Sequence, residues 1–395
     1  MQIGSYKFDR IEFAGSLGDL GTLIPLSVAL MVITGLSVTS VLLAVGLFYI
    51  ITGLYYKLPI PVQPLKVVSA IAIAYPAKIT LPIMAATGMA FGFVLLLLAL
   101  TGLIDWLARF FTKPIVRGIQ LGLGLILMHK GIGFITEQTL FMQQSGETVS
   151  LLGFSLNTII GTIAVFITLL LLSSKRFPAA LVIVTAGIGI GIFFGALQNV
   201  SLSLGPTPVT LYRPTIDDFI NATMLLVIPQ IPLTLGNAVM GTADTCFSLF
   251  GRGEATKKAT YRAFATSMGV TNIVTGLIAG MPMCHGAGGL AAHYRFGART
   301  GGSNIMIGSV FLIIALVFGK IGISLLTSIP YAILGVLLLF AGLELALLIR
   351  DVTDKNDLFI TILIAGIGFA TTNMSIAFFL GILVMYLIKL RKINL

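Results

Sequence analysis

Charge is scarce in this chain. Of its 395 residues only 10% are Asp, Glu, Lys or Arg, while 57% are apolar. Soluble domains carry about 25% charged residues, so there is too little charge here to solvate a globular surface, and a soluble protein is excluded. Cysteine is nearly absent: Cys246 and Cys284 cannot build a disulfide framework. Three histidines (His129, His285 and His293) lie in different segments or eight residues apart, which matches no zinc-ligand spacing, and no metal or other cofactor is expected. No Gly-x-x-x-x-Gly-Lys-Ser/Thr motif occurs, so nucleotide hydrolysis is not the energy source. The 44 glycines follow no three-residue period, which rules out collagen. What remains is an all-α polytopic membrane protein.

Basic residues outnumber acidic ones, 24 to 14, but their positions argue against nucleic acid as a partner. They fall mostly in short gaps between apolar runs, where they set orientation in a lipid bilayer. Runs long enough to cross hydrocarbon cover 11–34, 36–56, 82–107, 115–135, 155–173, 178–198, 219–249, 258–279, 303–328, 330–349, 356–372 and 374–391. Two apolar stretches, 62–76 and 284–295, are too short to cross as helices, and each follows proline: Pro59 and Pro61, and Pro282. Each crosses only if an extended segment completes its path. With both included there are fourteen crossings, and both termini lie on one side. Apart from Lys66, which sits inside a short stretch, all 24 basic residues then share that side except Lys78, Lys130, Arg213 and Lys320. By the positive-inside rule that side is the cytoplasm, and the protein is a multi-pass component of the cell membrane. The N-terminus, with no separate short apolar core and cleavage site, reads as a mature cytoplasmic end rather than a signal peptide.

The short stretches are crossings three and ten, seven apart. Because seven is odd, the second half (219–395) is inverted relative to the first (1–198), with 199–218 as the extracellular connection. An inverted 7+7 repeat, with one broken segment per half meeting at the midplane, points to a transporter site there.

The first broken segment reads PVQPLK (61–66). Pro64 suits a first helical turn, so a helix starting there aims free amides and its positive dipole end into the membrane centre. Lys66 in that turn needs a partner or a cavity; it binds an anion, neutralises a buried Asp, or snorkels to an interface. The second segment reads MPMCHGAGG (281–289). Gly286, Ala287, Gly288 and Gly289 make either an anion nest at a helix start or a tight helix contact. For His285, a backbone hydrogen bond weighs equally with ligand contact or protonation. Two opposed helix starts with a lysine favour a small oxyanion. Crossing one adds Ser16, Asp19 and Thr22; crossing eight adds Gln230, Asn237, Thr242 and Asp244, with kinks expected at Pro25, Pro229 and Pro232. Hydroxyls such as that of Thr22 serve as anion donors or cap their own helix. Asp19, Asp244 and His285 are the candidate coupling groups; the two carboxylates carry protons or merely balance basic residues.

PVQPLK (61–66), GSLGDLGTLIPL (15–26) and MPMCHGAGGLAAHYRFGARTGG (281–302) together resemble the molybdate transporters, a branch of the sulfate permease superfamily. The resemblance covers essentially the whole chain. It implies a core domain (11–107 plus 219–328), a gate domain (115–198 plus 330–391) and a homodimer. It further implies high-affinity uptake of molybdate, with tungstate as its mimic. Carried over, the motifs place Gln63, Lys66, His285, Gly286 and Gly288 at the anion, Asn237 as the contribution of crossing eight, and Cys284 at the rim. The classical sulfate permeases carry a C-terminal cytoplasmic regulatory domain that is not expected here, which weakens a plain sulfate assignment.

Movement of core against gate would expose one site alternately, and glycine-rich runs such as GIQLGLGLILMHKGIGF serve as sliding surfaces or as static packing. Importing a dianion against about 100 mV, inside negative, costs about 4.6 kcal/mol, twice the single-charge figure. Symport with two or more protons, or anion exchange, would offset it; sodium stays open. The rival readings are a sulfate or general oxyanion permease, a nucleobase permease and an intramembrane enzyme. A nucleobase carrier should offer carboxylate acceptors in crossings eight and ten, where this chain has Asn237 and the glycine cluster.

Overall fold

A computed structural model of the chain describes residues 2–104, 112–141, 150–151, 153–172, 179–197 and 203–390. The ends of several expected crossings, Arg109, Lys175, Arg176, Arg391 and Lys392, and residues 199–202 lie outside the described residues. Helices dominate the described residues. The first is split into α1 (Arg10–Ser16) and α2 (Leu20–Thr34), bent by 46°. There follow α3 (Val38–Tyr56), α4 (Lys66–Ala74), α5 (Leu81–Thr101), α6 (Lys113–Ile135), α7 (Leu156–Leu171) and α8 (Ala179–Phe193). The second half holds α9 (Ile216–Phe250), α10 (Tyr261–Leu277), α11 (Ala287–Arg295), α12 (Gly301–Thr327), α13 (Tyr331–Ala346), α14 (Lys355–Thr371) and α15 (Met374–Lys389). Six of these helices are long and apolar enough to span a bilayer, seven if α1 and α2 form one bent span. The chain is a multi-pass membrane protein.

Pro229 and Pro232 do not break α9. Two π-helical stretches, Thr223–Val227 and Thr234–Gly241, flank them within one continuous helix. Widening the turn re-routes the backbone bonds that an imino nitrogen cannot make.

The three strand pairs are two residues deep: β1 (Gln2–Ile3) with β2 (Tyr6–Lys7), β3 (Gln63–Pro64) with β6 (Met283–Cys284), and β4 (Ser150–Leu151) with β5 (Phe154–Ser155). The β3–β6 pair matters most. Gln63 lies opposite Cys284 and Pro64 opposite Met283, antiparallel, so the two short apolar stretches meet 220 positions apart in sequence.

Helix packing follows an exchange pattern. α3 packs along α12, and α5 along α10; α6 packs on α13 and α14, and α7 on α13. Glycines set the closest approaches. A Cβ on Gly46 would lie 2.7 Å from the Gly308 carbonyl oxygen, and one on Gly124 would lie 2.6 Å from that of Gly342. Gly131 and Gly335 repeat the contact one heptad along α6 and α13. The GLGLILMHKG run is therefore helix-to-helix packing through small residues. Gly131→Val forces two backbones apart, at a cost of about 1–3 kcal/mol by the usual scale of overpacking. We expect a clear drop in melting temperature in detergent; an unchanged value would show that these helices are not in contact.

Candidate functional site

An extended segment buried in a membrane protein must find partners for its carbonyls, since no lipid group can supply them. Pro59 and Pro61 rule out helix there, and Pro64, expected in the first helical turn, instead ends β3 just before Leu65, the N-cap of α4; four side chains supply the bonds. His293 Nδ1 binds the Pro59 carbonyl (2.9 Å), Asn304 Nδ2 that of Ile60 (2.6 Å), His285 Nδ1 that of Pro61 (3.0 Å) and the Tyr49 hydroxyl that of Val62 (3.3 Å). Across the strand pair, Asn272 grips Met283 at both its N–H (2.9 Å) and its carbonyl (2.7 Å). The Leu65 amide donates to the Pro282 carbonyl at 2.9 Å, and Cys284 Sγ approaches the Pro64 carbonyl at 3.8 Å.

These bonds fix the starts of α4 and α11 beside one another, and the two starts differ. At α4, the amides of Val67 and Val68 donate to Gln230 Oε1 (2.9 and 3.4 Å), whose Nε2 donates to the Thr234 hydroxyl at 2.9 Å. Lys66, half-buried, has no ion pair or hydrogen bond among the described residues. At α11 no side chain caps the helix, and the amides of Ala287, Gly288 and Gly289 find no acceptor among the described residues. A Cβ on Gly288 would meet nothing within 4 Å, and the same holds at Gly21 beside Thr22. Both glycines are exposed, so the start of α11 opens onto free space.

The other two glycines admit neighbours. A Cβ on Gly286 would collide with the Gln63 amide, and one on Gly289 would lie 2.6 Å from both Asp19 Oδ2 and Gln63 Nε2. Asp19, 2% exposed, caps no backbone of α2; its carboxylate accepts from Gln63 Nε2 at 2.8 and 2.9 Å. Gln63 Oε1 is buried without a partner among the described residues. Asn237 lies half-buried in the second π stretch, and a Cβ on neighbouring Gly241 would be 3.3 Å from the Ala287 methyl. Wide turns of this kind recur at functional sites.

The structure thus packs Gln63 and Asp19 against Gly286 and Gly289, and Ala287 against the turn of α9 that holds Asn237; Lys66 begins α4, while Thr22 and Gly288 lie in the first turns of α2 and α11. Two expected residues stand apart. His285 uses both ring nitrogens elsewhere: Nδ1 on the Pro61 carbonyl and Nε2 against the Ser267 hydroxyl at 3.0 Å. Its ring lies among Phe48, Tyr56 and Phe264, so its side chain is fully engaged. Asp244 is exposed and accepts from the Tyr261 hydroxyl at 3.4 Å. Sequence reasoning missed Tyr49, Asn272, His293 and Asn304; their only signal was a polar group inside an apolar run.

With this geometry in place, relatedness can be read. A family profile described as "Molybdate transporter of MFS superfamily" matches residues 11–127 and 222–345. The chain belongs to the molybdate transporter family. It is 32% identical to Molybdate transporter 2 of Arabidopsis thaliana, over 97% of this chain and 88% of that protein. Molybdate transporter 1 of Chlamydomonas reinhardtii is 27% identical over 94% of this chain and 90% of its own length. The family is one of transporters, not enzymes. Among solved structures, the murine Solute Carrier 26 family member A9 anion transporter in its inward-facing state matches with a TM-score of 0.73, 15% identity and coverage of 100% of this chain and 70% of that one. The transmembrane domain of the cyanobacterial bicarbonate transporter BicA matches at 0.65 and 14% identity, over 96% of this chain and 98% of its own. At such identities the likeness establishes the fold, that of the Solute Carrier 26 type.

Proposed function

We propose that the chain imports molybdate, with tungstate as its mimic, across the cell membrane by alternating access. The observation that carries this reading is the pairing of β3 with β6, which sets two helix starts together with an unpaired Lys66 and three unclaimed amides. Helix starts are anion sites by charge and by free N–H groups, and irregular backbone at depth is tolerated where it lines a cavity. The anion is held by Lys66, Asn237 and the free amides of Ala287 and Gly288, with Gly286 as the residue that starts the turn and Thr22 at the mouth. Gln63 and His285 hold the surrounding backbone. The relatives named as molybdate transporters support molybdate over sulfate.

The chain crosses fourteen times as two inverted seven-crossing repeats, with both termini cytoplasmic, and works as a homodimer. The packing supports the repeat: exchanging each crossing with the one seven away turns the α3–α12 pair into α10–α5, and α6–α14 into α13–α7, and all four pairs occur. Residues 11–107 and 219–328 form the core, which carries the anion past a gate of 115–198 and 330–391.

Protons drive the uptake through Asp19. As a carboxylate it accepts from Gln63 Nε2. Once protonated it donates to the unpartnered Gln63 Oε1 after the amide turns over. Each protonation state has a partner, which neither Asp244 nor His285 offers.

Uptake of molybdate into proteoliposomes, with and without a large excess of sulfate, tests the assignment. Uptake that survives the sulfate is expected; uptake erased by it would reassign the chain as a general oxyanion permease, and no uptake would overturn the site.

A further inference from the structure

The anion site as proposed leaves Ser69 Oγ, His293 Nε2, Asn304 Oδ1 and Gln120 Nε2 buried without a partner among the described residues, and of these Gln120 lies on a helix of the proposed gate. Gln120 on α6 is 1% exposed, and its Nε2 has no hydrogen-bond partner among the described residues. Its Oε1 accepts from Arg117 Nη1 at 2.8 Å. Arg117 is itself clamped: its Nε and Nη2 donate to the two carboxylate oxygens of Asp351 at 2.9 and 2.6 Å. A guanidinium held at two points is a rigid fork, so the amide it grips has a fixed sense. Turning the amide over would set its NH2 against Arg117 donors. The oxygen faces the guanidinium and the NH2 group faces away from it.

Where that NH2 looks follows from the helix. Val116, one turn earlier on α6, packs against Gly236 of α9, where a Cβ would lie 3.2 Å from Val116 Cγ2. Gly236 immediately precedes Asn237 in the π-helical stretch. Gly124, one turn later, faces Gly342 of α13. Residues four apart share a helix face, so Gln120 lies between these contacts, facing the seam of α9 and α13; with its oxygen held by Arg117 on the α13 side, its NH2 group is turned to the α9 side. The same helix packs against α4, which begins at Lys66. Buried donors in native structures have partners, and each exception calls for an explanation.

We propose that Gln120 is a gate-side donor to the transported oxyanion, a specificity residue held in place by Arg117 and Asp351. The inference rests on the anion site proposed above. A neutral amide adds a hydrogen bond to the anion without the grip of a full charge, which suits a group that must release its ligand as core and gate move apart. Arg117 and Asp351 are positioning residues: they touch the amide and not the anion.

The test compares Gln120→Leu, Lys66→Ala and the parent protein for molybdate KM, Vmax and melting temperature in proteoliposomes and detergent. Hydrogen bonds to charged groups predict that Gln120→Leu raises KM by about tenfold or more. Its melting temperature should stay near the parent's, because removal of the unpaired Nε2 offsets loss of the bond from Arg117 Nη1; a purely structural glutamine would lower it and leave KM alone. A Gln120→Leu KM equal to the parent's, with Lys66→Ala impaired, would overturn this proposal and leave the anion site standing. Unchanged KM in both variants would sink the anion site and this proposal with it. Arg117→Lys, which keeps the charge but not the fork, should reproduce part of the KM rise; full parental KM there would remove the positioning role.

Discussion

Lys66→Ala is expected to weaken molybdate binding by about a hundredfold or more while leaving the protein folded. The magnitude follows from removing a charged hydrogen-bond donor from a site of low dielectric, where such contacts are worth about 1.5–3 kcal/mol net and more against a dianion. Folding should survive because Lys66 makes no ion pair or hydrogen bond among the described residues, and the α4 start beneath it is capped by Gln230 instead. Elution as a single species with a parental melting temperature is the control, and calorimetric titration with molybdate is the measurement. Lys66→Arg should restore binding only in part, since a planar fork replaces a compact ammonium. Parental affinity in Lys66→Ala would mean that the anion sits elsewhere.

The second large effect concerns energy. At about 100 mV, inside negative, a dianion alone faces about 4.6 kcal/mol, equivalent to an internal concentration about three orders of magnitude below the external one. Wild-type protein should therefore accumulate molybdate only with an inward proton gradient, and uptake should rise as external pH falls. Asp19→Asn keeps an oxygen for Gln63 Nε2 but carries no proton. Its net uptake should lose dependence on the gradient, with accumulation falling below the external level, while exchange of internal for external molybdate continues. Retention of proton-driven accumulation in Asp19→Asn would remove Asp19 from the coupling step. Loss of exchange as well would show that the carboxylate is structural, bracing Gln63 against Gly286 and Gly289.

Much of the frame is legible in the sequence. The long apolar runs correspond to helices, and the prolines at 59, 61 and 282 mark the two places where helix gives way to β3 and β6. Lys66 stood out because a lysine at depth is costly, and the glycines stood out because they weaken a helix. What those glycines do was not legible. Gly288 faces open space, whereas Gly286 and Gly289 make room for Gln63 and Asp19; an identical letter serves opposite purposes one residue apart. Nor could sequence show that Pro229 and Pro232 would sit between two π-helical stretches of one continuous helix.

By itself the sequence determined that this is a helical membrane protein, where its helices run, and where two of them are interrupted. Hydropathy and proline act locally, over the span of one helix, so they can be read along one dimension. Tertiary structure alone decided which groups are free to meet an anion. Gln230 reaches back 163 positions to cap Val67, Asn304 reaches 244 to hold Ile60, and Arg117 is turned by a carboxylate 234 positions away. Whether a buried donor is satisfied or left unclaimed depends on such distant partners. In this protein those partners leave Lys66, the first amides of α11 and the Gln120 NH2 without an acceptor among the described residues.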